Sequence, residues 1–146
     1  MVGYFSSGQQ SSPGISFVPT LSGASGAPDS YLQRVGRFTR AGSLVLASYG
    51  VQLATKGTLT GALTLNLPVP ANAVAVGNAI MMAGPGTGFL FDAPNSYALA
   101  GVFGANNPGS CTLYQMGSSG AFSALTAANL SNSGQGFFFS LVYEAA

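Results

Sequence analysis

Thr58-Leu59-Thr60-Gly61-Ala62-Leu63-Thr64-Leu65-Asn66-Leu67 alternates along its whole length: Leu59, Gly61, Leu63, Leu65 and Leu67 share one parity, and Thr58, Thr60, Ala62, Thr64 and Asn66 the other. A period of two is that of an extended strand with one buried and one wet face; a helix would need apolar residues three and four apart. Pro68-Val69-Pro70 ends the run, because proline donates no ladder hydrogen bond and restricts the residue before it. Just upstream, Leu44 to Leu53 sets Val45, Ala47, Tyr49, Val51 and Leu53 on one face. The two segments are expected to pair as a hairpin, with Ala54 to Gly57 as the turn.

The rest of the chain reads the same way. Val74 to Ala83, Phe89 to Phe91, Tyr97 to Phe103, Cys111 to Met116 and Ala121 to Leu125 are short apolar runs bounded by Gly, Pro, Asn and Ser. No helix and no fixed-period repeat stands out. The pattern is that of an all-β antiparallel sandwich of about eight strands. It occupies residues 15–146 as one domain, which suits a chain of 146 residues. Residues 1–14, rich in Ser, Gly and Gln, are expected to form a flexible or extended arm anchored only by Tyr4 and Phe5.

Gly136 to Tyr143 departs from the alternation. Phe137, Phe139, Leu141 and Tyr143 form one face and Phe138, Ser140 and Val142 the other, so both faces are largely apolar. An outer strand face in a sandwich normally meets water. Phe138 and Val142 are therefore the candidate subunit-interface residues, and cover by a loop of the same chain is the alternative reading.

Charge points the same way. Arg34, Arg37, Arg40 and Lys56 face only Asp29, Asp92 and Glu144, so 5% of residues are charged, against about 25% in ordinary soluble domains. So little repulsion favours permanent association. A net charge of +1 offers no field for nucleic acid, where several cations must displace counterions together. If the arginine segment is a strand, Arg34 and Arg40 share a face and Arg37 points away. They are read as solubilising groups that pair locally with Asp29 or Glu144.

Although the mean hydropathy is positive, turn clusters such as Gly84-Pro85-Gly86 and Asn106-Asn107-Pro108-Gly109 interrupt every run before the roughly 20 residues of a spanning helix. No membrane insertion is expected. The N-terminus has no basic segment followed by an apolar run, which implies synthesis in a cytoplasm.

The chemistry is sparse. The chain has no histidine, which removes the usual general base and the commonest transition-metal ligand. Its one cysteine, Cys111, can form neither an intrachain disulfide nor a zinc cluster and is read as a buried small hydrophobe. Paired-carboxylate glycoside hydrolysis would have to draw on Asp29, Asp92 and Glu144. Asp92 reads as a turn residue and Glu144 lies at the end of the sequence. Gly84-Pro85-Gly86-Thr87-Gly88 lacks the Lys-Ser/Thr of a phosphate loop. No catalytic, metal or cofactor residue is assigned.

The order of short motifs resembles a bacteriophage domain found in head decoration proteins and at tail-fibre tips. Phe17-Val18-Pro19-Thr20-Leu21-Ser22-Gly23 is similar to its opening, and Tyr31 with Val35-Gly36-Arg37-Phe38-Thr39-Arg40-Ala41-Gly42 to its next and most distinctive element. Lys56-Gly57-Thr58-Leu59-Thr60-Gly61 and Leu65-Asn66-Leu67-Pro68 follow in order. Ala128-Asn129-Leu130-Ser131-Asn132-Ser133-Gly134, leading into Phe139-Ser140-Leu141-Val142-Tyr143, resembles the closing strand. Phe17 stands where tryptophan is common, and residues 84–120 do not align.

The resemblance implies a jelly-roll-like sandwich that associates as a homotrimer in a virion and does no chemistry. A capsid decoration or cement protein on the head, bound to the major capsid protein or another virion protein, is the expected role. A short arm and no fibre shaft favour it. A receptor-binding tip that reads host surface glycans through loops 84–96 and 104–120 is the alternative.

Overall fold

The computed structural model describes residues 14–72, 80–81, 98–102, 108–116, 122–130 and 136–146. The strands are β1 (Ile15–Phe17), β2 (Leu21–Ser22), β3 (Ser30–Ala41), β4 (Leu44–Thr55), β5 (Thr64–Asn66), β6 (Ile80–Met81), β7 (Ala98–Val102), β8 (Ser110–Met116), β9 (Phe122–Ala124) and β10 (Gly136–Glu144). A single 3-10 turn, Ala127–Asn129, is the one helical piece among the described residues. Every strand pair is antiparallel.

Two sheets result. The first has the order β1-β3-β4-β10; the second has β2-β5-β8-β7-β6, with β9 also on β8. The protein is thus an all-β antiparallel sandwich, as its alternation requires. No helix among the described residues is long and apolar enough to cross a membrane. The expected N-terminal arm, the run Phe89 to Phe91, the glycine-rich loop, Asp92, Tyr4 and Tyr97 lie outside the described residues.

The expected hairpin is overturned. β4 pairs with β3 through the two-residue turn Gly42-Ser43, and with β10 on its other edge. The 58–67 segment belongs to the opposite sheet. It is also not one strand: Thr60 bridges Ser25, Ala62 bridges Thr126, and only Thr64–Asn66 pairs continuously, with β2 and β8. Gly61 breaks it, since its φ of 68° is a left-handed conformation that ends a pleated ladder. The burial pattern nevertheless survives. Leu59, Leu63, Leu65 and Leu67 are all buried, and Gly61 is not.

The core lies between the sheets. β4 contributes Val45, Ala47, Tyr49, Val51 and Leu53, and β10 contributes Leu141 and Tyr143. Opposite them are Leu21, Leu63, Leu65, Cys111, Leu113 and Leu125. Cys111 and Leu113 fall inside residues 104–120, so the middle of that expected loop is strand and core. β3 alone could not fill its inner face, because Gly36 leaves a gap there. Phe17 of β1 fills it: a methyl group on Gly36 would lie 2.6 Å from the Phe17 ring, which packs edge-on to Tyr49 and Phe38 at 5.1 and 6.1 Å.

Three tyrosines of the first sheet tie it to the second layer. Tyr31 Oη donates to Leu21 O and accepts from Leu21 N, Tyr49 Oη donates to Asn66 O, and Tyr143 Oη donates to Val69 O and accepts from Val69 N. Each satisfies backbone groups that bury poorly without a partner.

Burial leaves this core sensitive to base. It pushes the Cys111 thiol up from 9.0 to about 12 and raises the Tyr49 and Tyr143 hydroxyls above their ordinary value. The unfolded chain releases these protons at the ordinary values while the folded chain still holds them. Stability is therefore fully present below about pH 9 and falls as pH rises beyond it. Urea melts at pH 7, 9 and 10.5 should show a flat first interval and a steep second one. A midpoint that does not move up to pH 10.5 would contradict the burial of these groups.

Candidate functional site

The outer faces of the two sheets differ. Over β2, β5 and the first part of β8, the second sheet presents Ser22, Thr64, Asn66, Ser110, Thr112 and Tyr114, opposite in parity to the buried Leu21, Leu65, Cys111 and Leu113. That part is the expected wet face. The first sheet presents, in cross-strand rows over β3, β4 and β10, Ala41-Leu44-Glu144, Thr39-Leu46-Val142, Arg37-Ser48-Ser140, Val35-Gly50-Phe138 and Gln33-Gln52-Gly136.

Exposed on that face are Val35 (47%), Leu44 (52%), Leu46 (52%), Phe138 (45%) and Val142 (44%). Five large apolar side chains on one three-stranded surface, Leu44, Leu46 and Val142 on one side of the polar row Arg37-Ser48-Ser140 and Val35 with Phe138 on the other, are exposed in the manner that marks an interaction site. Phe138 and Val142 both belong to it, as β10's two-sided apolarity predicts. Val35, Leu44 and Leu46 escaped the sequence reading. The signal for the leucines was present, since Leu44 and Leu46 sit on the parity of β4 opposite to its core residues. Only the register sets them beside Val142.

Gly50 gives the surface its relief. A methyl group there would lie 3.1 Å from Phe138 Cε1 and 3.3 Å from Cδ1, so the ring lies against the bare backbone of β4. Beside it is a shallow, open depression of about 340 Å³ bounded by Val35, Arg37, Ser48, Gly50, Phe138 and Ser140. Ser48 Oγ donates to Arg37 O at 3.4 Å.

Three of the four cations are engaged elsewhere. Arg34 stacks over Tyr31 at 4.3 Å, Arg40 donates to Gly42 O and Ala146 O, and Lys56 donates to Ala127 O. Arg34 and Arg40 lie on the inner parity of β3 and Arg37 on the outer, as the strand reading requires. The expected pairing with Asp29 or Glu144 is replaced for Arg34 and Arg40 by a ring and by carbonyls. Arg37 alone projects onto the apolar face.

Nothing else among the described residues gathers chemistry. Cys111 is buried, and no group of three or more His, Cys, Asp or Glu is placed to hold a metal. No protein-family model matches the chain, and comparison with curated proteins finds no match.

Proposed function

We propose that this protein is a structural component of a bacteriophage virion: a jelly-roll-like, homotrimeric decoration or cement protein on the outside of the head, acting by association rather than catalysis. One observation carries the self-association, the apolar outer face of β3, β4 and β10. A sheet face bearing Val35, Leu44, Leu46, Phe138 and Val142 at roughly half exposure is incomplete in water. A chain with 5% charged residues has little repulsion to keep copies apart.

The ordered motifs from Phe17 to Tyr143 support the virion assignment and the choice of a trimer. The major capsid protein, or another virion protein, is the second partner, since a cement protein must grip its lattice as well as itself. The polar outer surface of β2, β5 and the start of β8 suits that contact.

Two measurements test the reading. Sedimentation equilibrium of the purified chain should give three times the monomer mass across the micromolar range. Labelled antibody on purified particles should decorate the head at hundreds of sites. A well-folded monomer at all concentrations overturns the self-association, and a handful of copies confined to the tail overturns the head assignment in favour of a receptor-binding tip.

A further inference from the structure

The outer face of the first sheet carries two charged side chains among the described residues, Arg37 on β3 and Glu144 on β10. They stand on opposite flanks of β4, with Leu46 between them. Arg37 is in the row of Ser48 and Ser140, and Glu144 is two rows further on, beside Leu44. Two strand spacings across and four residues along separate their backbones by about 16 Å, too far for an ion pair within one chain. Among the described residues neither side chain meets a hydrogen-bonding or oppositely charged group.

We propose that a second copy of this chain covers the face, so that Arg37 of one copy pairs with Glu144 of the next. The inference rests on the self-association proposed above and names its polar contact. A face with one cation on its β3 flank and one anion on its β10 flank is complementary to itself. When the β3 flank of one protomer meets the β10 flank of its neighbour, each contact brings one Arg37 to one Glu144. Such head-to-tail contacts close into a three-membered ring when each copy is turned one third of a circle from the last.

Covering the face also explains why an arginine is tolerated between Val35 and Leu46. A guanidinium buried among apolar side chains without a counter-charge is strongly unfavourable, while a matched pair fixes the register and rejects wrong alignments. Apolar contacts then supply the affinity, and the pair selects which flank meets which.

Charge reversal tests this directly. Both residues are exposed, so Arg37→Glu and Glu144→Arg should keep the circular dichroism of the parent. Each should raise the self-dissociation constant by about tenfold or more in sedimentation equilibrium. The double variant, Arg37→Glu with Glu144→Arg, matches every contact again and should return to within about threefold of the parent. Mixing the two single variants should not rebuild a trimer, because a three-membered ring of two kinds must contain one like-kind contact.

Should either reversal unfold, Arg37→Gln and Glu144→Gln provide the same cycle, with the double loss smaller than the sum of the single losses. Single variants that associate like the parent, or a double variant no better than the singles, overturn the pairing and leave the self-association standing. A parent chain that is monomeric throughout overturns both.

Discussion

Leu63→Asp is expected to abolish the folded state. Leu63 is fully buried, and its backbone is part of a closed exchange: Leu63 N donates to Leu125 O, Leu125 N to Leu113 O and Leu113 N to Leu63 O, at 2.8, 2.8 and 2.9 Å. At this point the edge of β8 passes from β5 to β9, and the three leucine side chains enter the core together. Losing one such side chain from a well-packed site costs about 2–5 kcal/mol. A carboxylate in its place adds the desolvation of a charge, again several kcal/mol. Against a total stability of about 5–15 kcal/mol, the sum leaves little or nothing.

The readout is far-UV circular dichroism with a urea melt of the parent, Leu63→Asp and Leu63→Ala. The alanine variant should fold with a lowered midpoint, and the aspartate variant should show no cooperative transition. A Leu63→Asp protein that melts near the parent midpoint would remove Leu63 from the core.

The strength of that expectation measures what alternation along a chain can tell. Leu59, Leu63, Leu65 and Leu67 are all inside, because parity decides which side chains face the core whichever strand lies alongside. Pairing is a different matter. β4 and the 58–67 segment are adjacent in sequence and equally apolar, yet they sit in opposite sheets. A left-handed glycine at position 61 and the competing edge of β3 decide that outcome, and periodicity records neither.

β3 itself was hard to read because its inner face offers Arg34, Gly36, Phe38 and Arg40. The apolar mass missing at Gly36 comes from Phe17, a residue nineteen positions away that sits over it. The candidate surface divides in the same way. Phe138 and Val142 were visible because β10 is apolar on both parities. Val35, Leu44 and Leu46 gain their meaning only from the register that sets them beside those two.

Phe138→Asp and Val142→Asp are expected to give folded monomers. Both residues lie on the strand that also carries Leu141 and Tyr143, which are 0% and 1% exposed, whereas Phe138 and Val142 are 45% and 44% exposed. A carboxylate at either outer position stays in water in the isolated chain, so stability should fall by only about 1 kcal/mol. Phe138→Asp should stand at the upper end of that range, because its ring covers the backbone at Gly50.

Association responds differently. Burying a side chain of this size against a neighbour contributes about 1.5–3 kcal/mol, and a carboxylate trapped in the contact adds a desolvation cost. With 1.4 kcal/mol per factor of ten, each variant should weaken self-association by about a hundredfold or more. Sedimentation velocity at matched concentrations should move the species from the oligomer to a single subunit, with the urea midpoint nearly unchanged. Leu141→Asp, one position away and facing inward, should unfold instead. If Phe138→Asp and Val142→Asp sediment as the parent does, the face of β3, β4 and β10 is not where copies meet, and its apolar side chains belong against a different partner.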